Sequence, residues 1–338
     1  MTSTSDSDDV PAEWRGLTAV PQKYHRFSGE SYFREAWAAA TDIFGGAILE
    51  FLHQHTVLTL KPEAVIGRRG RRCLDYLIRQ GFEPIHARRF RYDRHMIREI
   101  WRYQWNVATL DRLALADQVL TASDAVMVFL RDVDPRPGVP ASIRLSALKG
   151  SSSPKFREDW QLRSVLGGPN RMIVMVHCSD EPIDIVRELG IIVPRGEQRD
   201  LWNALRVIGD DPQRDVEREI ATAETVLGYE GTSLADAVAE IRARLDRPHN
   251  DVTSRQAADR VLRTLAWSDG RFDLSRWCAD LAQAGIAPSW WPALMFASHQ
   301  IQHDIPGLRC EIGESGRERW LAGEGSMWFD LLQKVEPR

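Results

Sequence analysis

The sequence predicts an α+β protein: a four-stranded antiparallel sheet with helices, followed by a mainly α-helical C-terminal domain. Three observations lead there. Four short runs rich in β-branched and apolar residues fall between positions 55 and 177, and segments of helical spacing separate them. After position 195 the strand signals stop and six helical segments follow one another. The resulting order, β-α-β-α-β-α-β-α and then helices, is close to the split βαβ, ferredoxin-like arrangement.

The elements follow in chain order. Residues 1–25 begin MTSTSDSDDVPAEW, acidic and polar, and are expected to be a disordered tail. Residues 26–54 form a helical segment: Phe33, Trp37, Ala40, Ile43 and Phe44 share one face, and Gly45-Gly46 is expected to break or kink it. TVLTL (56–60) is the first strand, and a helix from Val65 to Gln80 ends at Gly81. FEPIHARRFRY alternates as a second strand, and 93–121 reads as helices with Leu110, Leu113, Leu115 and Val119 recurring on an apolar side. DAVMVFLRDV (124–133) is the third strand. VDPRPGVP turns into a short helix, ASIRLSALKG, and 150–170 reads as a long loop, a length usually tied to function or disorder. MIVMV (172–176) is the fourth strand, and Asp180 is expected to cap a helix with Pro182 in its first turn. Beyond it, helices are expected over 198–209, 212–227, 233–246, 253–267, 274–284 and 289–301. Six of the twelve tryptophans (Trp267, Trp277, Trp290, Trp291, Trp320, Trp328) fall there, suited to a helical core or a contact surface. The expected division is therefore a tail over 1–25, helices over 26–54, an α+β domain over 55–192 and a helical domain over 195–338.

Composition bounds the function. No apolar run of the 338 residues nears the roughly 18–20 residues that span a bilayer, and the N-terminus has no signal-peptide core. Cys73, Cys178, Cys278 and Cys310 are scattered without a CxxC pair, which argues against zinc or a disulfide framework and for a reducing cytoplasm. The net charge of −4 divides unevenly: −4 over 1–50, +6 over 51–190 and −6 over 191–338. A positive middle segment suits an anionic ligand, most simply phosphate, although GRRGRR and RRFRYDR read equally as solvated faces. No recognition motif accompanies the charge, which argues against a nucleic-acid role. His299 and His303 (HQIQH) have the i, i+4 spacing of zinc ligands but no intervening HExxH glutamate.

Four motifs carry chemistry. TLKPEAV (59–65) ends a strand at Lys61. LKGSSSP (148–154) opens the long loop, with Arg163 nine residues after Pro154. VHCSD (176–180) presents His177, and Glu188 follows eleven residues later. In this order and spacing, the motifs resemble the nucleoside diphosphate kinases, over about residues 55–190 or two-fifths of the chain. The resemblance implies that Lys61 contacts phosphate, Arg163 grips it, His177 accepts the phosphoryl group and Glu188 orients the ring. It also implies a magnesium-bound ATP or other nucleoside triphosphate as donor, and an oligomer, which the added terminal segments could block or replace.

Elementary chemistry points the same way. Phosphoryl transfer needs positioning and positive charge, and a neutral histidine can split one transfer into two. One ring nitrogen must be free and the other must donate to an acceptor. Glu188, two turns into the next helix, can return to the ring, and Ser179 can bond a neighbouring backbone group or Glu188. Lys61 and Arg163, with Arg144 from the short helix, would neutralise phosphate charge.

Departures from the family pattern fall on the sugar and base. Its asparagine three residues before the histidine is Val174 here, leaving Asn170 as the only candidate to reach in. Its helix tyrosine falls at about Trp101, with Tyr103 as the alternative. Its glycine after the histidine is Cys178, its aspartate after Lys-Pro is Glu63, and Leu162-Arg163-Ser164-Val165 replaces Ile-Arg-Gly-Asp. No base-stacking phenylalanine has a counterpart unless Trp105 serves. A phosphotransferase with altered acceptor specificity, acting on a nucleotide and a small-molecule phosphate acceptor, fits this pattern best. A nucleotide-sensing module coupled to the helices and an enzyme of different phosphate chemistry are the alternatives.

Overall fold

The computed structural model describes residues 12–225, 233–247, 251–266, 272–313 and 315–325. Threonine, valine and leucine make His55–Leu60 (β1) an extended run buried along nearly its whole length. It lies inside a sheet completed by Phe82–Phe90 (β2), Ala125–Asp132 (β3) and Val176–Cys178 (β4). The strand order is β2-β3-β1-β4, and each neighbouring pair is antiparallel. This is the ferredoxin-like α+β sheet expected. Its register sets Thr59 between Met127 on β3 and His177 on β4.

Pro21–Phe27 (α1), Ser31–Phe44 (α2) and Ile48–Gln54 (α3) precede the sheet. Pro62–Ile66 (α4) and Gly70–Arg79 (α5) join β1 to β2, and Arg94–Ile100 (α6) and Leu110–Leu120 (α7) join β2 to β3. Ala141–Lys149 (α8) and Leu162–Val165 (α9) lie between β3 and β4, and Pro182–Ile192 (α10) follows β4. Then come Arg195–Arg206 (α11), Pro212–Glu224 (α12), Leu234–Leu245 (α13), Val252–Ala266 (α14), Leu274–Gln283 (α15), Trp291–Gln300 (α16) and Arg317–Leu321 (α17).

Several local features differ from the sequence reading, each for a physical reason. Residues 12–25 are ordered rather than a loose tail, because Trp14 packs on Phe33 and Trp37 of α2, and Leu17 and Val20 are buried in the same core; residues 1–11 lie outside the described part. The Gly45-Gly46 break is a 3-10 turn over Gly45–Ala47, with Gly45 at φ 54°. The helix expected over 65–80 divides into α4 and α5, because Arg68 turns left-handed at φ 51°. The fourth strand is not 172–176 but Val176–Cys178. Met175 is left-handed at φ 69°, and Val176 N–H folds back onto the Val174 carbonyl at 2.8 Å. Such a conformation costs a non-glycine residue on the order of 1–3 kcal/mol, and here it sits two residues before His177. The cap of α10 is Glu181, in a reciprocal box with Asp184, rather than Asp180; Asp180 is drawn to Lys149 instead.

No break in packing falls at position 195. α11 packs on α2 and α12 lies against β2, while α13 meets α16 and α16 meets α7. A continuous apolar core runs from Trp14 to Ile312. Trp277 and Trp291 are buried in it, Trp320 is buried against Ala19 and Ile143, and Trp290 is half-buried. Trp267 and Trp328 lie outside the described residues. Among those described, no helix is long and apolar enough to cross a membrane, and Cys73, Cys178, Cys278 and Cys310 are all free thiols.

The helix that follows His177 is held tightly against the N-terminal segment. A Cβ on Gly190 would stand 2.2 Å from the Tyr32 carbonyl oxygen of α2, so only glycine permits the approach. Gly190→Ala is expected to destabilise the fold by about 1–3 kcal/mol, seen as a lowered urea midpoint. An unchanged midpoint would show that α2 and α10 can part freely.

Candidate functional site

A cleft of about 310 Å³ opens where the ends of β1 and β4 meet α6, α7 and the start of α10. Lys61, Trp101, Arg163, His177 and Glu188 all line it, together with Arg112, Lys149, Arg171, Val174 and Asp304.

His177 is placed by β4. Its Nε2 lies 2.8 Å from Glu188 Oε1, and the other oxygen of Glu188 accepts the Ser179 hydroxyl at 2.8 Å. An ionised carboxylate can only accept, so the imidazole proton belongs on Nε2 and Nδ1 keeps a lone pair. No described residue bonds Nδ1, and the ring is partly open to the cleft. The edge of Trp101 meets the ring at 5.5 Å and 80°, which limits its rotation. Burial pushes the Glu188 carboxyl up, but the neighbouring His177 and the hydrogen bonds from His177 and Ser179 hold it below the usual carboxylate range.

Lys61 follows β1 directly as the N-cap of α4, fixed because its N–H bonds the Met175 carbonyl at 3.0 Å and Pro62 then opens the helix. Its ammonium is 2.7 Å from Glu63 Oε1 and 5.9 Å from the Trp101 ring centre. Burial lowers the Lys61 pKa, with Glu63 opposing. Arg163, on α9, donates to the Gly150 carbonyl at 2.9 Å and the Val176 carbonyl at 3.0 Å. Its hydrogen bonds to described residues all end on carbonyls and none on a carboxylate, and burial pulls its pKa down to about 10. At neutral pH it is therefore a buried cation without a paired anion, an arrangement that favours an anionic ligand.

Three expected residues lie elsewhere. Arg144 grips Asp132 at 2.6 and 2.7 Å, bonds the Gln80 carbonyl and covers Phe82 at 4.1 Å. Its charge is used to pin the β2 and β3 ends rather than to meet a ligand. Tyr103 is buried and gives its hydroxyl to Glu30 at 2.8 Å. Asn170 closes a turn by accepting from the Met172 and Ile173 amides and donates to Ser298 at 2.8 Å. Nothing thus replaces a polar side chain at Val174, whose own N–H is 3.3 Å from Glu63 Oε1. Ser179 acts through Glu188 and does not line the cleft. Trp105, the one candidate for base stacking, is stacked on Trp101 at 4.8 Å and carries the Arg112 guanidinium at 5.1 Å.

The sequence reading missed Arg112, Lys149, Arg171 and Asp304. Lys149 bonds Asp180 at 2.9 Å. Arg112 and Arg171 both pair with Asp304, the second at 2.7 Å. Asp304 comes from the stretch after α16, which straps the α6–α7 connection: Ile305 N–H bonds the Val107 carbonyl at 2.7 Å, and Ile312 N–H bonds that of Tyr103 at 3.1 Å. Only a charge excess at Arg112 and Arg171 was visible beforehand; nothing local marks Asp304.

The carboxylates lining the cleft are engaged: Asp180 by Lys149, Asp184 by Lys23 at 2.6 Å, Glu188 by His177, Asp304 by two arginines. No group of three or more potential metal ligands occurs among the described residues, and His299 is bonded to the Met295 carbonyl. Among the described residues, the side chains lining the cleft therefore offer no ready-made cluster of metal ligands.

No protein-family model matches the chain, and no curated protein does. Solved structures similar to it include the nucleoside diphosphate kinase of Aquifex aeolicus, 19% identical with a TM-score of 0.34, covering 41% of this chain and 93% of that one. An NDP kinase from Pyrobaculum aerophilum is 15% identical with a TM-score of 0.34, covering 43% of this chain and 97% of its own. At that distance neither neighbour assigns a role to any side chain here.

Proposed function

We propose that the protein is a phosphotransferase that moves the terminal phosphoryl group of ATP or another nucleoside triphosphate to an acceptor through phospho-His177. The observation that carries this reading is the Ser179–Glu188–His177 chain, which leaves Nδ1 unbonded in a cleft walled by Lys61 and Arg163.

The Nδ1 lone pair attacks the terminal phosphorus. The phosphorus–oxygen bond to the leaving diphosphate breaks, and its electrons stay on the diphosphate. The Nε2 proton remains shared with Glu188, whose charge balances the imidazolium character of the phosphorylated ring. Lys61 and Arg163 offset charge on the leaving and transferred oxygens. An acceptor oxygen then attacks phosphorus from the opposite side and the nitrogen–phosphorus bond breaks. Magnesium, as the resemblance implies, would be held by the triphosphate rather than by side chains, and would offset part of its negative charge.

Incubation with γ-labelled ATP tests this. Label that is acid-labile, stable to alkali and absent from His177→Ala is the expected result; no label, or label that survives the substitution, overturns it. The strap that joins the C-terminal helices to the cleft favours a second reading, a nucleotide sensor coupled to those helices. Nucleotide binding with no label on the protein would support it.

A further inference from the structure

A second cationic pair lines the same cleft. Arg112, in the first turn of α7, and Arg171, ahead of β4, share the single carboxylate of Asp304. Two guanidiniums against one carboxylate leave a positive excess. The pair is also under-bonded. Arg112 reaches Asp304 through Nη1, while its buried Nε–H finds no partner, nor does Nδ1 of the adjacent His303. A guanidinium is a fork suited to two oxygens of one anion, and here the Nε–H of Arg112 is idle. The residual field is felt by His303, whose pKa is held down to about 4 by burial and then by Arg112 and Arg171, although Asp304 pulls the other way. Trp105 is already covered by Trp101 and Arg112, so it offers no ready platform for a base.

We propose that Arg112 and Arg171 form a second phosphate subsite, that the ligand of this cleft carries a second phosphoryl group, and that Asp304 occupies the subsite until that group displaces it. A phosphoryl group carries about −1.5 to −2 charges and so matches two guanidiniums where a carboxylate matches one. Displacement would also release the strap's side-chain hold on α7, while its backbone bonds to Val107 and Tyr103 remain. The inference rests on the phosphotransfer reading of the same cleft, and it names the class of substrate: a small molecule that carries a phosphoryl group for Arg112 and Arg171 besides the one transferred at His177.

The test is calorimetric titration of the full chain with inorganic pyrophosphate. Asp304→Asn keeps the shape of the strap and removes the competing charge. Its dissociation constant should fall at least about fivefold, because the binding-competent state no longer has to be freed first. Adding Arg171→Gln, at a partly exposed position, should abolish that gain, and Arg171→Gln alone should weaken binding. All of these differences should persist in a His177→Ala background, so a missing phosphohistidine and a missing second subsite are separate results. An affinity unchanged by Asp304→Asn, or by Arg171→Gln alone, or a gain that survives Arg171→Gln, overturns the proposal.

Discussion

Glu188→Gln should lower the rate of phosphoryl transfer on the order of 10²–10⁴-fold while leaving nucleotide affinity near that of the parent. Glutamine has almost the same shape, so the cleft keeps its walls. What changes is the acceptor behind His177. The carboxylate can only accept from Nε2 and fixes the productive tautomer. An amide can turn its NH2 toward Nε2 and accept from Ser179 with its oxygen, which moves the ring proton to Nδ1 and removes the attacking lone pair. It also removes the negative charge that balances the phosphorylated ring. The loss should fall on kcat rather than KM, because Glu188 is bonded to His177 and Ser179 and stands behind the ring. Single-turnover labelling with γ-labelled ATP, alongside a binding titration, separates the two quantities. A rate within about threefold of the parent would mean that the 2.8 Å contact between Glu188 and His177 sets neither tautomer nor charge.

The parts of this arrangement that local sequence controls were legible in advance. β1, β2 and β3 announce themselves by β-branched runs bounded by turns. His177 and Glu188 come together because a strand end and two turns of a reversing helix fix their distance. Pairing between remote segments was not legible. Arg144 and Arg163 look alike as single arginines, yet one meets Asp132 and the other only carbonyls, and no local rule decides between those outcomes. The left-handed Met175 was hidden inside an apolar run that fits a strand by composition. Trp14, Leu17 and Val20 were masked by an acidic, serine-rich start that dominates the composition of residues 1–25. Asp304 lies 192 residues from Arg112, a contact set by the path of the whole C-terminal region.

The N-terminal segment braces α10, and Arg187→Met should show how strongly. Arg187, beside Glu188 on α10, is nearly inaccessible and donates to Glu30 at 2.6 and 3.0 Å and to the Glu99 carbonyl at 2.8 Å. Its guanidinium lies over Phe27 at 4.7 Å and Tyr103 at 5.2 Å. Methionine fills similar space but leaves the Glu30 carboxylate buried, with only the Tyr103 hydroxyl bonded to it among the described contacts. Breaking one partner of a buried ion pair in this way costs about 3–5 kcal/mol, a large share of the roughly 5–15 kcal/mol that holds a typical domain folded. The expected result is a lowered urea midpoint with little change of slope. Arg187→Met combined with Glu30→Gln should recover part of the loss, since the second change removes the stranded charge. A loss below about 1 kcal/mol would place Glu30 among exposed pairs of little weight. The segment around α1 and α2 would then be an accessory to the fold, and the position of Glu188 would depend on β4 and α10 alone.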